Sequence, residues 1–154
     1  RFFMDFIQDE SCGKCTPCRE GISQILHILK RISQGEGNED DIELLETLAS
    51  LLEKTSLCAL GKTAAYPVLS TLRYFKDEYH THIKDKKCPA HVCKGLFHYY
   101  INPEACKGCL ICSKNCPVKA ITGERKEPHV INQDTCTLCG VCFEKCPCNA
   151  VTKV

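Results

Sequence analysis

Cys106-Lys107-Gly108-Cys109-Leu110-Ile111-Cys112-Ser113-Lys114-Asn115-Cys116-Pro117 sets four cysteines at C-x2-C-x2-C-x3-C and closes on proline. Cys136, Cys139, Cys142 and Cys146, followed by Pro147, repeat the pattern. Aligning residues 101–122 on 131–152 needs no gap and matches 9 of 22 positions, the four cysteines and the proline among them. Two copies of one small unit imply a pseudo-symmetric domain of about sixty residues, near the lower limit for folding on an apolar core alone, so an internal staple is expected. The whole chain has 154 residues, of which 15 are cysteine. That density marks either a disulfide scaffold or a metal protein, and an odd count cannot pair completely. Lys plus Arg total 20 against 19 for Asp plus Glu. A net charge of +1 gives no electrostatic case for nucleic acid or an anionic membrane.

Two residues between cysteines let a loop wrap one face of an iron-sulfur cube, so three sulfurs reach three irons, while the fourth sulfur must come from elsewhere. The C-x2-C-x2-C-x3-C-P run is that of bacterial two-cluster ferredoxins, in which the fourth Cys ligates the other cluster. On that pattern Cys106, Cys109, Cys112 and Cys146 hold one [4Fe-4S] cube, and Cys136, Cys139, Cys142 and Cys116 hold the second. A pair of zinc knuckles is the competing reading, and it lacks paired C-x2-C halves separated by a long gap.

The first eighty residues read as helices. Phe2, Phe3, Phe6 and Ile7 make an opening helical pattern. Ile22, Ile25, Leu26 and Leu29 form a stripe that ends at Gly35-Glu36-Gly37. Asn38 is expected to cap the next helix, with Glu39, Asp40 and Asp41 in its first turn and Leu45, Leu48 and Leu52 on its apolar face. A further run sets Ala65, Val68, Leu69, Leu72 and Phe75 on one side, with Pro67 near its start. Within this region Cys12, Cys15 and Cys18 again stand at C-x2-C-x2-C, and the next cysteine is Cys58. An up-and-down bundle would return Cys58 to the Cys12 loop and close a third cube. Spacing alone leaves open a four-Cys zinc site or an unliganded core Cys58.

Ser11-Cys12-Gly13-Lys14-Cys15-Thr16-Pro17-Cys18-Arg19-Glu20-Gly21, with Ser56-Leu57-Cys58-Ala59-Leu60-Gly61 some forty residues on, resembles the C-terminal part of the flavin- and NADH-binding (51 kDa-like) subunit of respiratory complex I. With the two-cluster domain appended, the chain is more closely similar to the beta subunit of NAD(P)-linked, electron-bifurcating [FeFe] hydrogenases and of related formate dehydrogenase complexes. The resemblance runs through both Cys motifs and the helices between them. It implies a [4Fe-4S] cluster on Cys12, Cys15, Cys18 and Cys58 beside a flavin. It also implies that FMN and NAD(P) sites belong to an upstream part outside this sequence, so that the chain begins inside a larger protein. The implied partners are a hydrogenase or formate dehydrogenase catalytic subunit, a small [2Fe-2S] subunit, and soluble ferredoxin.

Residues 81–98 read as a basic linker, with Lys84, Lys86, Lys87 and Lys94, and as a hinge for a swinging ferredoxin-like domain. Cys88 and Cys93, with His82, His91 and His98 nearby, are candidate zinc ligands. The resemblance singles out His82, Cys88 and Cys93, and names no fourth ligand. Cys148 aligns with Val118 and is expected as a small buried hydrophobe, not a ligand. Lys14 and Arg19 flank the first cluster motif, either tuning its potential or simply solvated. His27 and His129 are expected at the surface.

The expected fold is α+β. Residues 1–80 form a four-helix bundle with one [4Fe-4S] site, 81–98 the linker, and 99–154 a ferredoxin-like domain with two clusters. No residue set resembles a nucleophile with its base or a substrate pocket, so one-electron transfer is the expected chemistry. The competing function is a self-standing ferredoxin-type carrier with a helical docking domain, and a purely structural zinc module is the third reading. No apolar run reaches the roughly 20 residues that span a bilayer. A cytoplasmic protein without membrane insertion is expected.

Overall fold

The computed structural model describes residues 1–154 and divides into two compact units, Arg1–Leu96 and Phe97–Val154. The first is helical: α1 (Phe2–Glu10), α2 (Thr16–Ser33), α3 (Asp40–Thr55), the short α4 (Ala59–Thr63), α5 (Tyr66–Tyr74) and α6 (Lys76–His80), which runs into a π-helical turn at Thr81–Asp85. The second carries β1 (Tyr99–Ile101), α7 (Ile111–Asn115), β2 (Ile121–Thr122), β3 (Val130–Ile131), α8 (Val141–Glu144) and β4 (Val151–Lys153).

The α2 stripe lies where its period puts it, with Ile22, Ile25, Leu26 and Leu29 buried, joined by Ile28 and Ile32. Leu45 and Leu52 of α3 and Val68 and Leu72 of α5 complete the same core. Other expectations fail in detail. In α1 the phenylalanines face outward, Phe2 being 78% exposed, while Met4 and Ile7 meet the core. Phe75 lies past the end of α5, with φ −132°, and is exposed. Asn38 does not cap α3 with its side chain. The Asp41 carboxylate turns back to accept the Asn38 backbone N–H at 2.8 Å and pairs with Arg31 across the α2–α3 turn. An acidic side chain is well placed there, beside the helix N-terminus.

Of the segment read as a linker and hinge, 81–98, residues 81–96 are packed into the helical unit, and residues 97 and 98 belong to the second. Ile83 is buried in its core, and Leu96 lies over Gly35. Two of the four lysines that suggested a solvated tether reach back to it: Lys86 Nζ donates to the Gly37 carbonyl at 2.9 Å, and Lys84 pairs with Glu39 at 3.2 Å.

In the second unit the strands exchange partners between repeats. β1 pairs antiparallel with β4, Tyr99 opposite Lys153 and Ile101 opposite Val151. β2 pairs antiparallel with β3, Ile121 opposite Ile131. The Asn102 N–H donates to the Ala150 carbonyl at 2.8 Å, and the Asn132 N–H to that of Ala120 at 2.7 Å, the same bond in each half. The end of each repeat therefore lies against the beginning of the other. Cys116, just before β2, is delivered to the loop that follows β3, and Cys146, just before β4, to the loop that follows β1.

Candidate metal centres

Cys12 and Cys15 lie in the α1–α2 turn, Cys18 lies on the first turn of α2, and Cys58 immediately precedes α4. Pro17 at the start of α2 needs no N–H partner there. Gly13 takes φ +68°, a left-handed value that a side chain would strain. Arg19 braces the turn by donating to the Gly13 carbonyl at 2.8 Å, its Nε bonding Glu20. Cys58 sits three residues past α3. The four cysteines line one cavity of about 160 Å³ together with Ser11, Lys14 and Leu60. Ser11 Oγ lies 3.4 Å from Cys18 Sγ. A backbone N–H from Leu57 holds the Cys15 thiol below its usual value, while burial pushes the Cys18 thiol up. Lys14 thus lies at the site, and Arg19 acts on the shape of the loop.

The second unit has two such centres. Cys106, Cys109 and Cys112 line one cavity with Cys146 and Cys148, and Cys136, Cys139 and Cys142 line the other with Cys116, so each gathers three thiols from one repeat and is closed from its neighbour. The Ala120 N–H points at Cys116 Sγ and the Ala150 N–H at Cys146 Sγ, each at 3.3 Å. The loops hold left-handed residues in matching places: Gly108 and Leu138, Leu110 and Gly140, Lys119 and Asn149. A left-handed Leu is rare. Leu110 and Leu138 take that conformation inside the cysteine loops, where the turn must aim its sulfurs inward. Burial raises the Cys112 thiol and brings Cys142 to about 11. Burial also works against Cys146, but the backbone N–H groups of Ala150 and Cys148 outweigh it and leave that thiol lowered.

Soft thiolate donors gathered in fours, with all fifteen cysteines unpaired, suit iron-sulfur cubes. Cys148 is half-buried, not fully buried as expected, and its Sγ lies 3.7 Å from that of Cys146.

His82, Cys88 and Cys93 form a fourth centre, their ligand atoms all within 4.8 Å of one another. Cys93 Sγ stands 3.5 Å from His82 Nε2. His82 Nδ1 donates to the Glu78 carbonyl at 2.7 Å, which can only accept, so the Nε2 lone pair faces the thiols. Ligands at tetrahedral zinc, with bonds of about 2.3 Å, stand roughly 3.8 Å apart, so little movement would be needed. Burial raises Cys88, but backbone N–H groups of Cys93 and Val92 and the side chains of Cys93 and His82 bring it down to about 7. Burial takes Cys93 up to about 11. Neither His91 nor His98 joins this group.

One residue beside a centre was misread from the sequence. His129, expected at the surface, is 2% exposed, with Nδ1 4.0 Å from Cys106 Sγ. In the repeat His129 takes the place of Tyr99, which is also buried. His27 is exposed, as expected.

Comparison with known proteins finds two iron-sulfur binding regions in the chain. Residues 1–82 match the NADH-ubiquinone oxidoreductase-F iron-sulfur binding region, and residues 98–149 match a 4Fe-4S dicluster domain. The NADP-reducing hydrogenase subunit HndC of Solidesulfovibrio fructosivorans is 49% identical over 129 residues, 84% of this chain and 26% of that protein. The mitochondrial NADH-ubiquinone oxidoreductase 51 kDa subunit of Aspergillus niger is 38% identical over 80 residues, 52% of this chain and 16% of that protein. A crystal structure of an NAD+-reducing [NiFe]-hydrogenase superposes with a TM-score of 0.51 at 30% identity, covering 53% of this chain and 14% of that one. The chain thus spans about a quarter or less of the curated relatives it matches. No helix is long and apolar enough to cross a membrane.

Proposed function

This chain belongs to the NADH-ubiquinone oxidoreductase-F iron-sulfur binding family, and from that premise we propose that it is a relay of three [4Fe-4S] clusters that carries single electrons away from a flavin oxidising NADH or NADPH. Cys12, Cys15, Cys18 and Cys58 hold the cluster that accepts from the flavin. Cys106, Cys109, Cys112 and Cys146 hold the second, and Cys136, Cys139, Cys142 and Cys116 the third. The observation that carries this reading is the crossing of Cys116 and Cys146 into the cavity of the other repeat, an arrangement that supplies four thiolates to each of two cubes.

Each cluster supplies one-electron chemistry when bound, and the chain supplies its surroundings. Buried Cys18, Cys112 and Cys142 keep the inner face of each centre away from water. Exposed Cys12, Cys58, Cys109 and Cys139 leave an outer edge at which electrons can enter or leave. The Ala120 and Ala150 N–H groups offset charge on Cys116 and Cys146, which favours the reduced state. His82, Cys88 and Cys93 hold zinc and staple the 81–96 segment to the helical unit. The flavin and nicotinamide sites lie on an upstream part of the protein. A hydrogenase or formate dehydrogenase catalytic subunit, a small [2Fe-2S] subunit and soluble ferredoxin are the proposed exchange partners.

Mixing the full-length flavoprotein with NADH and freezing at successive times for EPR tests the order. The Cys12 cluster is reduced first, and Cys58→Ser abolishes reduction of the other two on the turnover timescale. Equal reduction of those two clusters in Cys58→Ser would overturn the relay.

A further inference from the structure

The two repeats are alike in their cysteines and strand pairing but differ at one buried position beside each centre. Two residues before Ile101 stands Tyr99, and two before Ile131 stands His129. Tyr99 lines the cavity of Cys136, Cys139, Cys142 and Cys116, and His129 lines that of Cys106, Cys109, Cys112 and Cys146. We infer that His129 is a positioning residue that raises the reduction potential of the Cys106 cluster above that of the Cys136 cluster, by presenting its Nδ1–H to the Cys106 sulfur. This rests on the assignment of a cluster to Cys106, Cys109, Cys112 and Cys146.

The site is built around the imidazole. Gly123, with φ +147°, has no side chain because a Cβ there would stand 2.9 Å from both Cα and Cγ of His129. At Gly108, between Cys106 and Cys109, a Cβ would fall 2.5 Å from the Glu127 nitrogen, so the loop leading to His129 closes directly on the cysteine loop. The Lys126 N–H fastens it there by donating to the Gly108 carbonyl at 3.1 Å. Two glycines therefore allow a polar ring to be buried against Cys106, a placement that an apolar side chain would fill without loss if packing were its only role.

The polar atoms of the ring find no other protein partner. Nε2 is fully buried and unbonded, and the atom nearest Nδ1 in bonding range is the Cys106 sulfur at 4.0 Å. An iron-bound thiolate can only accept, so in that contact Nδ1 donates. A donor aimed at a cluster sulfur stabilises the more negative, reduced state and so raises the potential. The Ala120 and Ala150 bonds to sulfur are equal in length and do not distinguish the halves. Side-chain donation does: at the matching position in the other half the Tyr99 hydroxyl lies over Gly140 and makes no hydrogen bond to a cysteine sulfur. The result is a built-in order within the pair, with the Cys106 cluster as the electron sink.

The test is an EPR-monitored redox titration of the cluster-loaded chain at one fixed pH, with iron counted in every sample. Cys109→Ser identifies the signal of the Cys106 cluster. His129→Leu removes the donor, His129→Asn keeps an N–H near the place of Nδ1, and His129→Tyr copies the other half. The expected result is full iron in each His129 variant, with the Cys106 cluster alone made harder to reduce by His129→Leu and His129→Tyr. The electron-exchange equilibrium within the pair shifts about tenfold, or about 59 mV for one electron. His129→Asn stays near the parent protein. Should His129→Leu fail to load, His129→Tyr gives the same comparison with a side chain that the fold accepts at Tyr99. Unchanged potentials in His129→Leu and His129→Tyr, or an equal shift in His129→Asn, would overturn the inference. Missing iron in the parent protein would instead overturn the cluster assignment on which it rests.

Discussion

Gly61→Ala tests how tightly the Cys58 segment must be held against the Cys15–Cys18 turn. Gly61 is buried in α4, and a Cβ there would stand 2.6 Å from Ser56 Cβ, 2.7 Å from Ser56 Oγ and 3.3 Å from Cys18 Cβ. The first two distances are inside any real contact, so α4 must move, taking with it Cys58, the residue that precedes it. Overpacking by one methyl in a closed site costs about 1–3 kcal/mol. In a domain of this size each kcal/mol is worth about 4–8 °C in Tm. The helical unit of Gly61→Ala is therefore expected to melt at least about 4 °C below the parent. Its cluster is also expected to release iron to a chelator faster, while the two clusters of the second unit are unaffected. Ser56→Gly removes both of the closest atoms and leaves only the 3.3 Å contact with Cys18, which can relax. Adding Gly61→Ala in that background should cost little, giving a coupling of about 0.5–3 kcal/mol in the double-mutant cycle. Circular dichroism and visible absorbance followed together on anaerobic protein measure both effects. An unchanged melting point, or the same loss in both backgrounds, would refute the account of the Gly61 contact.

Cys58→Ser should remove one cluster and leave two, lowering iron by about a third with the EPR signals of the second unit intact. Cys148→Ala should keep every iron: Cys146 and Cys148 both line that cavity, 3.7 Å apart, but Cys146 is the one that matches Cys116 in the repeat, and a loss of about four iron would exchange those roles. Tyr79 is raised above the usual phenol value by burial, partly offset by its hydrogen bond with the Thr71 hydroxyl. Its folded form therefore holds the proton more tightly than its unfolded form, so this stabilisation is complete below pH about 10 and is lost as pH rises through the folded value. Tyr79→Phe should flatten the fall in stability above pH about 10 that denaturant titrations of the parent show, and an identical slope in both proteins would count against it.

The centres were legible in the sequence because thiolate spacing is a short-range code. Cys106 to Cys116 and Cys136 to Cys146 announce two loops, and the repeat announces their symmetry. The α2 stripe was legible for a similar reason, since Ile22 to Leu29 keep a helical period against one core. What escaped depends on contacts between distant residues. Ile83 and Leu96 sit in a stretch without period, so nothing local marked them as buried. His129 is buried because Gly108 and Gly123 leave room for it, which spacing does not reveal. Phe2, Phe3 and Phe6 show the converse limit: a helical pattern identifies α1 but not which of its faces meets the core, and Met4 takes that place.

Iron, acid-labile sulfide and zinc counted per chain on anaerobically prepared protein test the central claim most directly. Three cubes require about twelve iron and as many sulfides, and the His82, Cys88 and Cys93 site adds about one zinc. About eight iron, with zinc or oxidised thiols at Cys12, Cys15, Cys18 and Cys58, would contradict the account and reduce the chain to a two-cluster ferredoxin on a structural helical unit.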